Sequence, residues 1–123
     1  MNVPSSGRPG ASILELRLSG AIDEQSVHAL LCDPVHAGPT GASRWLVHTC
    51  TAQVRFDARG LTELAEHLRR SCSPGRQVRV HVVASDELNY GCMRMLAAWL
   101  DRSIVEVRVY SDAETAMGEL LAA

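Results

Sequence analysis

The chain has 123 residues, which fits one domain and leaves no room for a second. Hydrophobic residues make up 46%, as in a packed globular protein, and a formal net charge of −2 supplies no overall field to draw in nucleic acid or acidic lipid. No segment approaches the roughly 18 apolar residues that span a bilayer, and Met1 to Gly10 lacks the apolar run of a secretory signal. The expectation is a cytoplasmic protein with no nucleic-acid partner and no membrane insertion.

Aromatics are only 4%, so Val, Leu, Ile and Ala must fill the core. All twelve basic residues are Arg, which reads as base composition rather than chemistry. Cys32, Cys50, Cys72 and Cys92 form no Cys-x-x-Cys pair, and reduced structural thiols are expected.

Residues 1–11, rich in Pro, Gly and Ser, are expected to form a flexible tail, and residues 12–123 a single domain. Leu14, Leu16 and Leu18 alternate with Glu15 and Arg17, which predicts a half-buried strand ended by Ser19-Gly20. Asp23 caps a short helix to about Leu31, with Val27, Leu30 and Leu31 inward. Pro34, Gly38, Pro39 and Gly41 mark a long loop. A second strand runs from Arg44 to about Ala52 and is apolar on both faces, which predicts a central place in the sheet.

Asp57 opens a helix to about Arg70, with Leu61, Leu64, Ala65 and Leu68 on one face. Ser73-Pro74-Gly75 is the turn after it. Val78, Val80 and Val82 alternate with Arg79 and His81 in a third strand. The next helix runs from Asp86 to about Leu100, with Leu88, Cys92, Met95, Leu96 and Trp99 as its buried stripe. The last strand is Ile104 to Tyr110. Ser111 then has capping-box spacing to Glu114, and the final helix is expected to bury Ala116, Met117, Leu120 and Leu121. Regular β-α alternation of this kind predicts a largely parallel sheet covered by helices.

The chemistry-bearing residues form no catalytic set. His48 and Cys50 lie two apart on a strand, but no third metal ligand is placed by sequence, and a core Cys with a sheet-face His explains them. No Gly-rich phosphate loop is present. Arg69, Arg70, Arg76 and Arg79 cluster about one turn without interleaved aromatics and beside Glu63 and Glu66, as a solvated surface would. The junction Phe56-Asp57-Ala58-Arg59-Gly60-Leu61 feeds a strand into a helix whose first N–H groups point outward, a place suited to an anion or a partner carboxylate. Asp57 as a simple N-cap explains itself there, whereas Arg59 is not needed for capping. At a second junction, Tyr90 followed by Arg94 suits recognition of a ligand, or Tyr90 packs on its own helix start.

The order of elements, the stretch Asp57-Ala58-Arg59-Gly60-Leu61, the helix opening Asn89-Tyr90-Gly91-Cys92-Met93-Arg94-Met95 and the tail Val109 to Ala116 resemble a STAS domain, and more closely the small SpoIIAA-like (STAS-like) bacterial proteins. The resemblance covers about Ile13 to Leu121. It implies an α/β fold with a mixed, largely parallel β-sheet and helices packed mainly on one side. In antagonists of this family a serine at the junction is phosphorylated, and the phosphate controls docking to a regulatory protein. Here Ala58 and Arg59 stand in the two serine places, while Asp57 and Gly60 match.

The expected function is a non-enzymatic, protein-binding regulatory module without the phosphorylation switch, with Asp57, Arg59, Gly60, Thr62 and Glu63 as partner contacts. Tyr90 and Arg94 are the expected ligand contacts. No cofactor and no metal are expected. The partner would be a regulatory protein, with a homodimer as a further expectation. The alternative is a carrier of a small apolar or lipid-like ligand lined by Met93, Met95, Trp99 and Met117.

Overall fold

A computed structural model describes residues 13–32, 43–71 and 77–122. The expected tail, the loop carrying Pro34, Gly38, Pro39 and Gly41, the Ser73–Gly75 turn, Cys72 and Arg76 lie outside the described residues. Four strands and four helices alternate among the described residues: β1 (Ile13–Ile22), α1 (Glu24–Cys32), β2 (Arg44–Val54), α2 (Ala58–Ser71), β3 (Val78–Val83), α3 (Glu87–Trp99), β4 (Val105–Tyr110) and α4 (Ala113–Ala122).

All four expected strands are present, in spatial order β1-β2-β3-β4. Every neighbouring pair is parallel, so the sheet is all-parallel rather than mixed. Each connection steps one strand in the same direction, and crossovers of one hand then stack their helices on one face. Residues of α1, α2 and α3 share the larger core with Leu16, Leu18, Trp45, Val47, Val80 and Val82. The C-terminal helix α4 instead packs Ala116 and Leu120 on the opposite face, against Leu46 and Val83. Helices therefore lie mainly, not wholly, on one side.

Two irregularities reshape the strands. β1 does not stop at Ser19-Gly20: Gly20 takes φ +75°, which a residue without a Cβ adopts at little cost, and the strand continues to the buried Ile22. In β2, Arg17 pairs with His48 but Ser19 pairs with Thr51, so β2 carries one extra residue. The extra residue changes which parity faces the helices. Trp45 and Val47 point into the larger core before it, and Ala52 and Val54 after it. Alternation is broken at this bulge, so a spacing of two no longer places His48 and Cys50 on one face by rule.

The bulge is held by Asn89 of α3. Its Oδ1 accepts from the Val54 N–H at 3.0 Å, and its Nδ2 donates to the Thr49 and Ala52 carbonyls at 3.1 and 3.0 Å. Thr49, also buried, donates its hydroxyl to the Val83 carbonyl at 2.8 Å. Drawing Asn89 inward turns α3 away from the expected stripe. The helix buries Asn89, Met93 and Leu96, while Leu88 and Trp99 are 62% and 39% exposed. In α4, Leu121 likewise faces solvent, leaving Ala116 and Leu120 as its buried pair.

Candidate functional site

All four βα junctions lie at the carboxyl ends of the parallel strands, where α/β sheets commonly bind ligands. Each helix start would offer unpaired N–H groups there. Among the described residues every one is closed by an aspartate three residues ahead. Asp23 accepts from the Ser26 N–H at 3.0 Å, Asp57 from Gly60 at 2.7 Å, Asp86 from Asn89 at 3.0 Å and Asp112 from Thr115 at 2.7 Å. The last helix is thus capped by Asp112, not by Ser111, because Asp112 immediately precedes its first residue.

At Asp23 and Asp112 these bonds favour the ionised carboxylate. Hydrogen bonds from the Ser26 backbone and hydroxyl hold Asp23 below the ordinary carboxylate range, and those from the Thr115 N–H and hydroxyl do the same for Asp112.

At the α2 start a second carboxylate joins Asp57. Glu24 of α1 accepts from the Asp57 N–H at 2.7 Å. Its carboxyl group lies against Gly60, where a Cβ would collide with it. This is the one glycine of the region whose missing side chain makes room for a neighbour. Arg59 is exposed, with its Nε 3.5 Å from Glu63 Oε1 one turn on. Thr62 donates its hydroxyl to the Ala58 carbonyl at 2.8 Å. Asp57, Arg59, Gly60, Thr62 and Glu63 therefore fall within the cap and first two turns of α2, as their closeness in sequence dictates. Gly60 and Glu63 also border a groove of about 570 Å³ between α1 and α2, with Glu24, His28 and His67 on its walls. The His28 and His67 rings are 5.4 Å apart.

Tyr90 and Arg94 sit one turn apart on α3 and line a different groove, of about 620 Å³, against β4. Ala97 and Ala98 keep it open, and Arg102, Arg108 and Tyr110 complete its walls. The two sets of expected site residues do not share a groove.

The opposite face of the sheet holds a further polar cluster. His81 is buried under α4, its Nδ1 3.2 Å from the Ala116 carbonyl, and its ring lies tilted against Tyr110 with centroids 5.1 Å apart. Burial pushes the His81 pKa below the ordinary imidazole value; the Ala116 carbonyl opposes this and the Arg108 charge adds to it. Glu106 lies within 4.0 Å of Arg79, Arg102 and Arg108. Burial alone would raise its pKa, but the Arg102 hydrogen bond and the neighbouring guanidinium charges outweigh it and lower the value.

Two of the arginines near the turn after α2 have carboxylate partners. Arg70 pairs with Glu66 at 3.9 Å and Arg79 with Glu106 at 4.0 Å. His48 lies 3.5 Å from Glu15. Among the described residues no three His, Cys, Asp or Glu side chains gather as a metal site, and no helix is long and apolar enough to cross a membrane. The larger core encloses an apolar space of about 40 Å³. Met93 lines it, whereas Met117 belongs to the other layer and Trp99 faces outward.

Sequence reasoning missed Glu24, Asn89 and Thr49. Glu24 follows a legible cap, but its contact with Asp57 spans 33 residues. Asn89 stands one place from an apolar stripe that fitted without it.

No family model matches the chain, no curated protein is significantly similar to it, and no solved structure matches it.

Proposed function

We propose that this chain is a non-enzymatic regulatory module of STAS-like, SpoIIAA-like type that docks a protein partner around the start of α2. The observation that carries the reading is the filled core. A space of about 40 Å³ is far below the several hundred Å³ of a small-molecule pocket, which favours an outer binding surface over the carriage of an apolar ligand.

The α2 start is the surface best suited to that role. Asp57 and Glu24 put two carboxylates at a helix entrance where the resembled family places a regulatory phosphate. Ala58 and Arg59 have no hydroxyl to modify. Negative charge there comes from side chains rather than from a phosphate, and the module is one without a switch. Arg59, 92% exposed in its side chain, is the cation on the same turn and the contact that a partner's carboxylate would seek.

The test is capture of partners from a native lysate by the full chain and by Arg59→Glu. The reversed charge should abolish capture, because like charges facing each other across an interface cost several kcal/mol. Stability should change by no more than about 0.5 kcal/mol, as for other exposed substitutions. Undiminished capture by a folded Arg59→Glu removes the α2 start as the docking surface.

A further inference from the structure

The outer edge of β4 carries an inference that does not depend on the α2 reading. Val78 donates its N–H to the Ile104 carbonyl at 2.9 Å, and Ala84 donates its N–H to the Tyr110 carbonyl at 2.8 Å. Between these two bonds the parallel ladder alternates. Residues 104, 106, 108 and 110 therefore turn their backbone groups to β3, and the N–H and C=O of Val107 and Val109 point the other way. The Val105 N–H is taken by the Asp101 carbonyl at 2.9 Å. β4 ends the strand order, so among the described residues no strand meets these groups. The register with β3 is unbroken, with no bulge to twist the edge away, and the strand holds no proline. Both parities of the stretch from Glu106 to Tyr110 line the roughly 620 Å³ groove beside α3, so there is room along the edge.

The sequence of this edge specifies what fits it. Val105-Glu106-Val107-Arg108-Val109 reverses its charge about Val107. A second copy laid antiparallel with the two Val107 residues opposite each other sets Glu106 against Arg108 of the other copy, twice. That register also makes the Val107 pair the hydrogen-bonded one, because the outward backbone groups belong to the odd-numbered residues. Moving the centre to Arg108 or to Glu106 places like charges face to face, so the charges select the register. An acidic strand would instead meet Glu106, which already answers the nearby arginines.

We propose that β4 is a homodimerisation edge: two copies pair β4 with β4, antiparallel about Val107, and join two four-stranded sheets into one. The contact is isologous and closed, as a twofold requires. The partly buried Val107 and Val109 side chains cover their counterparts beside α3.

The experiment is sedimentation and light scattering of the full chain over a dilution series, with circular dichroism to verify folding. The wild type should be a dimer that dissociates on dilution. Glu106→Arg and Arg108→Glu should each weaken self-association by roughly tenfold or more, since each sets like charges together twice. Mixing the two variants should restore a dimer, because all four facing charges are then opposite. Val107→Pro keeps every bond to β3 and removes only outward donors, so it should yield a folded monomer. This variant decides the matter if a charge variant fails to fold. The proposal is overturned by a wild type that stays monomeric at its highest soluble concentration. It is equally overturned by a dimer that survives Val107→Pro, or by single-charge variants that remain folded monomers when mixed.

Discussion

The carboxyl end of the sheet and its β4 edge are finished in opposite ways. At the carboxyl end, four helix starts that would each attract an anion are closed by Asp23, Asp57, Asp86 and Asp112. At the β4 edge, Val107 and Val109 leave their backbone groups facing outward beside an open groove. A polar group that has its partner contributes shape and charge to a surface. One without a partner still seeks a hydrogen bond, and that is the chemistry of strand addition. The α2 start therefore presents side-chain charge, whereas β4 presents main chain.

The largest effect should come from a buried polar residue at the carboxyl end. Asn89 begins α3 under the Asp86 cap and holds the β2 bulge with its side chain. Asn89→Leu leaves the Val54 N–H and the Thr49 and Ala52 carbonyls without that partner, and should cost about 3 kcal/mol in urea unfolding. A loss under about 1 kcal/mol would mean that the bulge closes by other bonds.

A smaller loss is expected at the closed end itself. Asp57→Ala frees the Gly60 N–H and should cost about 1 kcal/mol, typical of a lost N-cap. Asp112→Ala should cost a similar amount, because its geometry matches. If Asp57→Ala were neutral while Asp112→Ala were not, Glu24 would be sufficient to cap α2, and the comparison would sharpen to one doubly closed junction.

The smallest effect is a slope with pH. His81 has a lowered pKa in the fold, so below about pH 6.5 the unfolded chain binds a proton that the folded chain resists. Stability should thus fall as pH drops from there towards the folded value. Asp23 and Asp112, with lowered values, add a second loss only as pH falls below about 3.8. His81→Phe should flatten the upper part of the profile in thermal melts and leave the acid part. An unchanged upper slope would assign it to another group.

Much of this fold could be read without coordinates. Period-two valines and leucines marked β1, β3 and β4, because a half-buried strand must alternate, and a run apolar on both faces marked β2. Asp23, Asp57 and Asp86 marked three helix starts, because a short carboxylate before a helix has one local use. That Asp57, Arg59, Gly60, Thr62 and Glu63 lie close together was legible for the same reason, since they fall within the cap and first two turns of one helix whatever the rest of the chain does. Tyr90 and Arg94 were also legible as neighbours, one turn apart.

Only the tertiary structure decided the rest, because the deciding contacts join residues far apart in sequence. Periodicity ranked Leu88 and Trp99 as core, yet the unpaired backbone of the β2 bulge needed a polar side chain and drew Asn89 inward instead. Composition left room for an apolar carrier, and packing reduced the space to about 40 Å³. Alternation predicted β4 as a strand but not that it ends the sheet. Local propensity specifies an element, whereas strand order depends on which neighbour satisfies each ladder, and that balance is struck over the whole chain at once.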